Sequence, residues 1–164
     1  MIHILGEKSN SRLTAVQDGD SQPNAIDLRL GKVFAINNSL FELSEEGKRH
    51  RGTTEIIPLL DWYYLEEGTY EVVMENLVTV GADEAGWVIT RSTLNRNGVF
   101  ITSGLYDSGY NGVMAGAMHV RGGPVRIQKG TRVAQFLLFK AEALTLYNGS
   151  YGLNSEHDKK YIKE

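Results

Sequence analysis

Glycine residues divide this chain into short apolar segments, and that spacing constrains the fold more than any other feature of the sequence. The 18 glycines among 164 residues are dispersed, neither clustered nor periodic, which excludes collagen-like and flexible-linker chains. Over residues 26–30 apolar side chains alternate with Asp27 and Arg29, the pattern of a half-buried strand, and Gly31 is expected to end that strand. Turn signals recur roughly every 8–12 residues, which is typical of an all-β sandwich or barrel. The sequence therefore predicts one all-β domain over residues 1–164.

Similar patterns predict the remaining elements. The strand pattern resumes over 33–36 and reappears at 70–74, 100–106, 113–120, 125–127 and 133–139. A short helix is predicted over 91–98, with Gly98 at its C-terminal cap. We expect irregular structure over about 1–24, a loop over about 37–54, and a polar and aromatic tail from 147 to 164.

The absence of cysteine excludes several kinds of chemistry. Disulfide scaffolds, thiol nucleophiles, iron–sulfur clusters and thiolate zinc sites all need that residue, as do the zinc-dependent nucleobase deaminases. The histidines have no helical ligand spacing, so a metal held by histidines is not expected, whereas Mg²⁺ bound through oxygen remains compatible. These histidines are His3, His50, His119 and His157.

Charge and hydropathy limit the partners and the location that we expect for this protein. The formal net charge is −3, which does not indicate a nucleic-acid binder. The basic run at 48–51 is predicted to be a solvated loop, with a local anion site as the alternative. No apolar run approaches the ~18 residues of a membrane span and no signal peptide is visible, so we expect a cytoplasmic protein.

Asp107 is the first candidate for chemistry. It lies in a glycine-flanked turn, so its carboxylate is expected to project from the fold. A turn-forming aspartate that accepts backbone hydrogen bonds explains this pattern by itself. A general base that orients a water molecule is the functional interpretation.

A second group of polar residues suits phosphate binding. Arg91, Ser92 and Thr93 combine a guanidinium and two hydroxyls where the short helix begins, and Arg96 follows five residues after Arg91. An ordinary helix start with surface arginines is the alternative. Gln135 interrupts an apolar strand, so its amide needs either a backbone or a ligand partner.

The order of these segments resembles that of the trimeric dUTPase and dCTP deaminase family over roughly 22–152. Four segments are similar to the four family motifs: NAIDLRLG at 24–31, GWVITRSTLNR at 86–96, GLYDSGYNG at 104–112 and GTRVAQ at 130–135.

The resemblance implies a distorted jelly-roll β-barrel that assembles as a homotrimer, with three active sites across subunit boundaries. It implies a deoxynucleoside triphosphate as substrate, with Mg²⁺ held mainly by the phosphates and Asp27 as an indirect contact. In such a site Asp107 orients the attacking water and Tyr110 stacks on the deoxyribose. Residues expected to contact phosphate are Arg91, Ser92, Thr93, Arg96 and Gln135.

The resemblance also bears on the reaction. Deaminases of this family carry a glutamate ten residues after the aspartate of the third motif, which is Asp107 here, and this chain has Ala117 at that position. Gly104 is the residue typical of dUTPases, in which it lets the backbone approach the base. The first two motifs and the tail resemble the deaminase sequences instead. Tyr151 in that tail is a candidate to cover the base. We therefore expect hydrolysis of dUTP to dUMP and pyrophosphate. The alternatives are dCTP deamination through a carboxylate placed elsewhere, a diphosphatase for dCTP or a modified pyrimidine, and a non-catalytic nucleotide-binding relative.

Overall fold

The computed structural model describes residues 6–162, and strands dominate this part of the chain. Residues 1–5, which include His3, and residues 163–164 at the end of the predicted tail lie outside the described residues. The strands are β1 (Arg12–Leu13), β2 (Ile26–Ile36), β3 (Glu42–Ser44), β4 (Gly47–Arg49), β5 (Thr53–Ile56), β6 (Trp62–Leu65), β7 (Gly68–Thr79), β8 (Glu84–Thr90), β9 (Val99–Thr102), β10 (Leu105–Tyr106), β11 (Asn111–Val120), β12 (Val125–Gln128) and β13 (Arg132–Lys140). The helices are α1 (Ser92–Asn95) and α2 (Lys159–Ile162), with a 3₁₀ turn at Gly6–Lys8.

One curled antiparallel sheet organises the fold. Its strands are hydrogen-bonded in the order β10, β8, β13, β2, β7, β11 and β9, while β1 joins β7 and β5 joins β2. Two small pairs, β12 with β6 and β3 with β4, complete the strands. The sheet encloses a core of aliphatic and aromatic side chains that includes Leu28, Met114 and Phe136, each with no solvent exposure. This arrangement confirms the predicted all-β, jelly-roll type of fold.

Strand β2 differs from its prediction at Gly31. The glycine was expected to end a strand, but β2 continues from Ile26 to Ile36 and its register with β7 shifts between Leu30 and Lys32. A Cβ atom at Gly31 would lie 2.9 Å from the carbonyl oxygen of Val73. Glycine therefore marks a bulge where two backbones approach closely, and the chain does not turn there.

The helical prediction over 91–98 is too long. Arg91 is the N-cap of α1, which ends with Arg96 as its C-cap, and Gly98 follows with a φ of 73°. The glycine does adopt the left-handed conformation expected of it, but outside the helix. Helix α2, at the end of the tail, was not predicted because four residues carry too little periodicity. Neither helix in the described residues is long and apolar enough to cross a membrane.

The predicted loop at 37–54 contains regular structure. Strands β3 and β4 form an exposed hairpin, and β5 begins at Thr53 and pairs with β2. Lys48 and Arg49 of the basic run lie on β4 and are exposed, as a solvated segment requires, but they belong to a strand.

A buried ion pair attaches the N-terminal stretch to β2. Asp20 has no solvent exposure and accepts hydrogen bonds from Arg29 at 2.6 Å and 3.0 Å and from the backbone N–H of Gln17 at 2.9 Å. These hydrogen bonds, led by those from Arg29, lower the pKa of Asp20 below its ordinary value.

Asp20→Asn is expected to lower the free energy of unfolding by about 1.5–3 kcal/mol near neutral pH, because it weakens charged hydrogen bonds. Because the pKa of Asp20 is lower in the folded protein than in the unfolded chain, its ionised carboxylate stabilises the fold in full above the unfolded pKa. That contribution to the free energy of unfolding is lost as the pH falls through the folded pKa. The wild type and the variant should therefore converge in acid. Urea unfolding at about pH 7, 5 and 3, with exposed Asp18→Asn as the control, measures this; a constant difference would contradict it.

Candidate functional site

Four polar residues meet at the junction of β2, β13 and α1, and we call them the arginine cluster: Asp27, Arg91, Arg132 and Gln135. The Asp27 carboxylate has no solvent exposure and accepts hydrogen bonds from the Gln135 amide at 3.0 Å and from Arg132 at 3.3 Å. The Nε atom of Arg91 lies 3.6 Å from the same carboxylate. The Gln135 amide thus donates to a carboxylate, a partner that the sequence did not predict.

The arginine cluster has an excess of positive charge and an open side. Two guanidinium groups face one carboxylate, and the Arg91 and Arg132 side chains are 30% and 36% exposed. Ser92 and Thr93 are exposed beside Arg91 at the start of α1, and Arg96 is exposed at its end. The exposed donors suit an anion with several oxygen atoms, such as a phosphate.

Asp107 lies elsewhere, on a turn between β10 and β11 that backbone contacts hold in place. Ser108 donates its hydroxyl to the carbonyl oxygen of Glu84 at 2.6 Å, and Gly109 donates its N–H to Val80 at 3.0 Å. Tyr110 donates its N–H to the Asp107 carbonyl at 3.0 Å. Asp107 itself is exposed, so a fixed turn presents a free-standing carboxylate.

The adjoining cavity, which we call the tyrosine cavity, has a volume of about 370 Å³. Three predicted site residues line it: Gly104, Tyr110 and Tyr151. The buried Tyr110 hydroxyl donates to the Val113 carbonyl at 2.7 Å, and burial raises the pKa of this tyrosine. A second cavity of about 500 Å³ is lined by Asp107, and Leu105 lines both cavities.

The C-terminal tail covers the tyrosine cavity of its own chain. Tyr147 donates its N–H to the Ser108 carbonyl at 2.8 Å, and Asp158 accepts the N–H of Gly152 at 2.6 Å. Tail residues that line the cavity are Tyr147, Tyr151, His157, Asp158 and Tyr161. The aromatic rings of the tail therefore form one wall of the cavity that Gly104 and Tyr110 also line.

The structure does not bring the arginine cluster and the tyrosine cavity together within one chain. None of the four residues of the cluster lines either cavity described above. Gln135 and Phe136 are consecutive on β13, so their side chains point to opposite faces of the sheet. Gln135 faces the cluster, while Phe136 packs against Tyr106 with ring centroids 5.8 Å apart.

Comparison with known proteins gives the family. Residues 2–141 match the family described as dCTP deaminase-like. This chain belongs to the dCTP deaminase-like family.

The relatives that are similar to this chain include archaeal proteins. A probable deoxyuridine 5′-triphosphate nucleotidohydrolase of Methanopyrus kandleri is 32% identical over 152 residues, which cover 91% of this chain and 99% of that protein. A protein of the same name from Halobacterium salinarum is 29% identical over 142 residues, covering 83% of this chain and 85% of the relative.

Solved structures of the dCTP deaminase-like fold are similar as well. The 2′-deoxycytidine 5′-triphosphate deaminase of Agrobacterium tumefaciens superimposes with a TM-score of 0.62 at 21% identity, covering 82% of this chain. This chain spans only 45% of that one. The dUTPase from phage phi11 of Staphylococcus aureus has a TM-score of 0.54 at 11% identity, over 88% of this chain and 99% of the phage chain. At these identities the likeness establishes the fold.

Several cavity residues were not found from the family motifs. Glu71 on β7 lines the tyrosine cavity together with His50, whose ring centroid lies 4.7 Å from that of His157. Burial, followed by the proximity of His157, lowers the pKa of His50. Glu71 and His50 lie outside all four motifs, and the one available signal was an acidic residue between Tyr70 and Val72 in a predicted strand.

Proposed function

We propose that this protein hydrolyses dUTP to dUMP and pyrophosphate. The observation that carries the proposal is the exposed Asp107 carboxylate on a fixed turn, beside a cavity lined by Gly104 and Tyr110. The names of the archaeal relatives, at up to 32% identity, support the same substrate.

Each predicted residue then has a role. Asp107 orients a water molecule and accepts its proton as the water attacks phosphorus. Tyr110 supports the deoxyribose, Gly104 leaves backbone accessible to the base, and Tyr151 covers the bound nucleoside. The phosphates are held by Arg91, Ser92, Thr93, Arg96 and Gln135.

We further propose that Mg²⁺ reaches the site on the phosphates of the substrate. Within residues 6–162 no group of three carboxylate or histidine side chains is placed to hold a metal. Asp27 is surrounded by the nitrogen donors of Arg91, Arg132 and Gln135, which favour an anion over a bare cation. When bound, the metal neutralises charge on the phosphates, and Asp27 acts indirectly by positioning the arginines.

The separation of cluster and cavity supports a site shared between subunits of a homotrimer. A nucleotide that contacts both Asp107 and Arg91 cannot pass through the sheet between them, so we propose that two chains supply the two halves.

Mixing two inactive variants tests this shared site. Asp107→Asn and Arg91→Met, denatured together and refolded in equal amounts, should regain activity at about a quarter of the sites, because random assembly pairs two intact halves that often. The variants refolded separately serve as the controls. A mixture as inactive as its components would contradict the shared site.

The reaction itself is tested by product analysis on a panel of deoxynucleoside triphosphates with Mg²⁺. We expect dUMP and pyrophosphate from dUTP. Formation of dUTP and ammonia from dCTP would establish the deaminase alternative, and release of pyrophosphate from dCTP the broader diphosphatase. Tight binding of dUTP without phosphate release would indicate a non-catalytic relative.

A further inference from the structure

We propose that the hairpin of β3 and β4 is a flap over the tyrosine cavity, closed while His50 is neutral and released when His50 is protonated. The flap covers residues 38–51 and includes the basic run at 48–51, which the proposed reaction does not use. His50, near its end, lines the cavity. The inference concerns access to the cavity, so it goes beyond the proposed reaction and does not depend on which molecule binds there.

The base of the flap is attached to the main sheet. Strands β2 and β5, which flank the flap, pair with each other, and the Asn37 N–H donates to the Gly52 carbonyl at 2.9 Å. Strands β3 and β4 form a separate two-stranded sheet, and every residue over 38–51 is exposed. A lone two-stranded hairpin is only marginally stable, so the position of the flap depends on the contacts of its side chains.

Aromatic contacts join the flap to the tail. The His50 ring centroid lies 4.7 Å from that of His157 and 6.5 Å from that of Tyr151. His157 and Tyr151 pack edge to face with their centroids 5.1 Å apart. The Lys48 ammonium lies 4.6 Å from the centroid of the Tyr151 ring, which is a cation–π contact. Three aromatic rings from two segments therefore meet at the cavity, and all three line it.

The tail side of this contact is fixed independently of the flap. Leu153 donates its N–H to the Asn111 carbonyl at 3.0 Å, and Gly152 donates its N–H to the Asp158 carboxylate at 2.6 Å. The buried Asp158 also accepts a hydrogen bond from Nδ1 of His157 at 2.9 Å. The part that can swing away is therefore the flap.

The surroundings of His50 oppose a proton on its ring. Although the residue is exposed overall, contact with the tail partly desolvates the ring, and this desolvation is the largest cause that lowers the pKa of His50. The charges of His157, Lys48 and Lys160 lower that pKa further. A protonated His50 brings like charges together at the point where the flap meets the tail.

The carboxylates on the same side are engaged by other groups. Glu71 lies on β7, where it pairs with Ala117 of β11, and it raises the pKa of His50 less than any of the cations lowers it. The Lys160 ammonium lies 2.9 Å from the Glu71 carboxylate. Asp158 accepts the hydrogen bonds that fix the tail. Neither carboxylate therefore compensates a proton on His50.

The pH dependence follows from the lowered pKa. Above the ordinary pKa of 6.5 His50 is neutral whether the flap is open or closed, so closing carries no penalty. As the pH falls below that value, the open flap binds a proton that the closed flap excludes, and the equilibrium shifts toward opening. The shift is complete below the lower pKa of the closed state.

Pulsed electron paramagnetic resonance distances between spin labels test the flap without any ligand. The chain has no cysteine, so Glu46→Cys at the turn of the flap and Asn154→Cys on the tail, both exposed, each accept one label. Labelled chains refolded with an excess of unlabelled chains report distances within one chain. We expect one short distance at about pH 7.5 and a second, longer one at about pH 5.5. The ratio of open to closed flap should rise by about 5-fold or more between them.

Two substitutions of His50 separate charge from shape. His50→Phe keeps a neutral ring and should stay closed at both pH values, whereas His50→Lys carries a charge throughout and should be open at both. The matched control is His119→Phe, which replaces a histidine bonded to Thr69 and Thr102 outside the cavity and should keep the wild-type response. Wild-type distances that do not change with pH, a response that persists in His50→Phe, or a closed flap in His50→Lys would overturn the inference.

Calorimetric titration with the α,β-imido analogue of dUTP at about pH 7.5 measures what the flap does for the cavity. His50→Lys should weaken binding by about 5-fold or more, and His50→Phe should bind nearly as the wild type does. Equal affinities in the wild type and both variants would overturn the role of the flap at the cavity. A wild type that binds no analogue but still opens in acid would contradict the proposed function and leave the flap supported.

Discussion

Replacing Asp107 with asparagine is expected to reduce kcat for dUTP hydrolysis by about 10²–10⁴-fold while nucleotide affinity changes little. Asparagine keeps the shape and hydrogen-bonding reach of the side chain but cannot accept a proton from water. The turn should persist, because the hydrogen bonds that hold it come from Ser108, Gly109 and Tyr110 and use backbone acceptors.

Single-turnover kinetics and calorimetric binding to a non-hydrolysable analogue separate chemistry from affinity in this variant. Asp61→Asn is the control, because Asp61 is exposed in a turn outside both cavities and its positive φ of 65° tolerates asparagine. Full activity in Asp107→Asn would exclude Asp107 as the general base. Loss of binding together with turnover would instead give it a structural role in the cavity.

The largest loss of stability is expected from Asp27→Ala, at about 3–5 kcal/mol in the free energy of unfolding. The carboxylate is fully buried between Arg91 and Arg132, so its removal leaves two guanidinium groups facing each other without the counter-charge and deprives Gln135 of its acceptor. Urea unfolding at neutral pH measures the change, with exposed Asp18→Ala expected to remain within about 0.5 kcal/mol of wild type.

The same variant separates two roles for Asp27. If the carboxylate positions the arginines, the variant that still folds should show a raised KM for dUTP with a smaller change in kcat. Asp27→Asn, which keeps the acceptor for Gln135, should fall between alanine and wild type in stability. An Asp27→Ala protein as stable as the wild type would contradict the account of the cluster as a buried charge network.

The strands could be predicted from the sequence because alternation and glycine placement are local signals. The same signals gave an incorrect end for β2, since a glycine at a bulge and a glycine at a turn look alike in one strand. What distinguishes them at Gly31 is the carbonyl of Val73 on β7, more than forty residues away. The length of helix α1 was overestimated for a related reason. Capping residues indicate that a helix is present, but they are a poorer guide to its length.

The candidate site was predictable where motifs carry it. Asp27, Arg91 and Gln135 do meet, and Gly104, Tyr110 and Tyr151 share a cavity, although their roles in catalysis stay predictions. Glu71 was not predictable, because its place in the cavity depends on the register of β7 against β11. The position of the tail could not be predicted either, because it depends on scattered backbone hydrogen bonds such as the one from the Tyr147 N–H to the Ser108 carbonyl.

The pairing of Glu71 with Ala117 has a consequence for how loss of a functional group is judged in related chains. Residues that face each other across two antiparallel strands occupy one neighbourhood, although they stand 46 positions apart in the sequence. A carboxylate can therefore disappear from one aligned position and return from the opposite strand during divergence. Whether an acidic group stands near the tyrosine cavity then depends on both paired positions, and a single alignment column misjudges it.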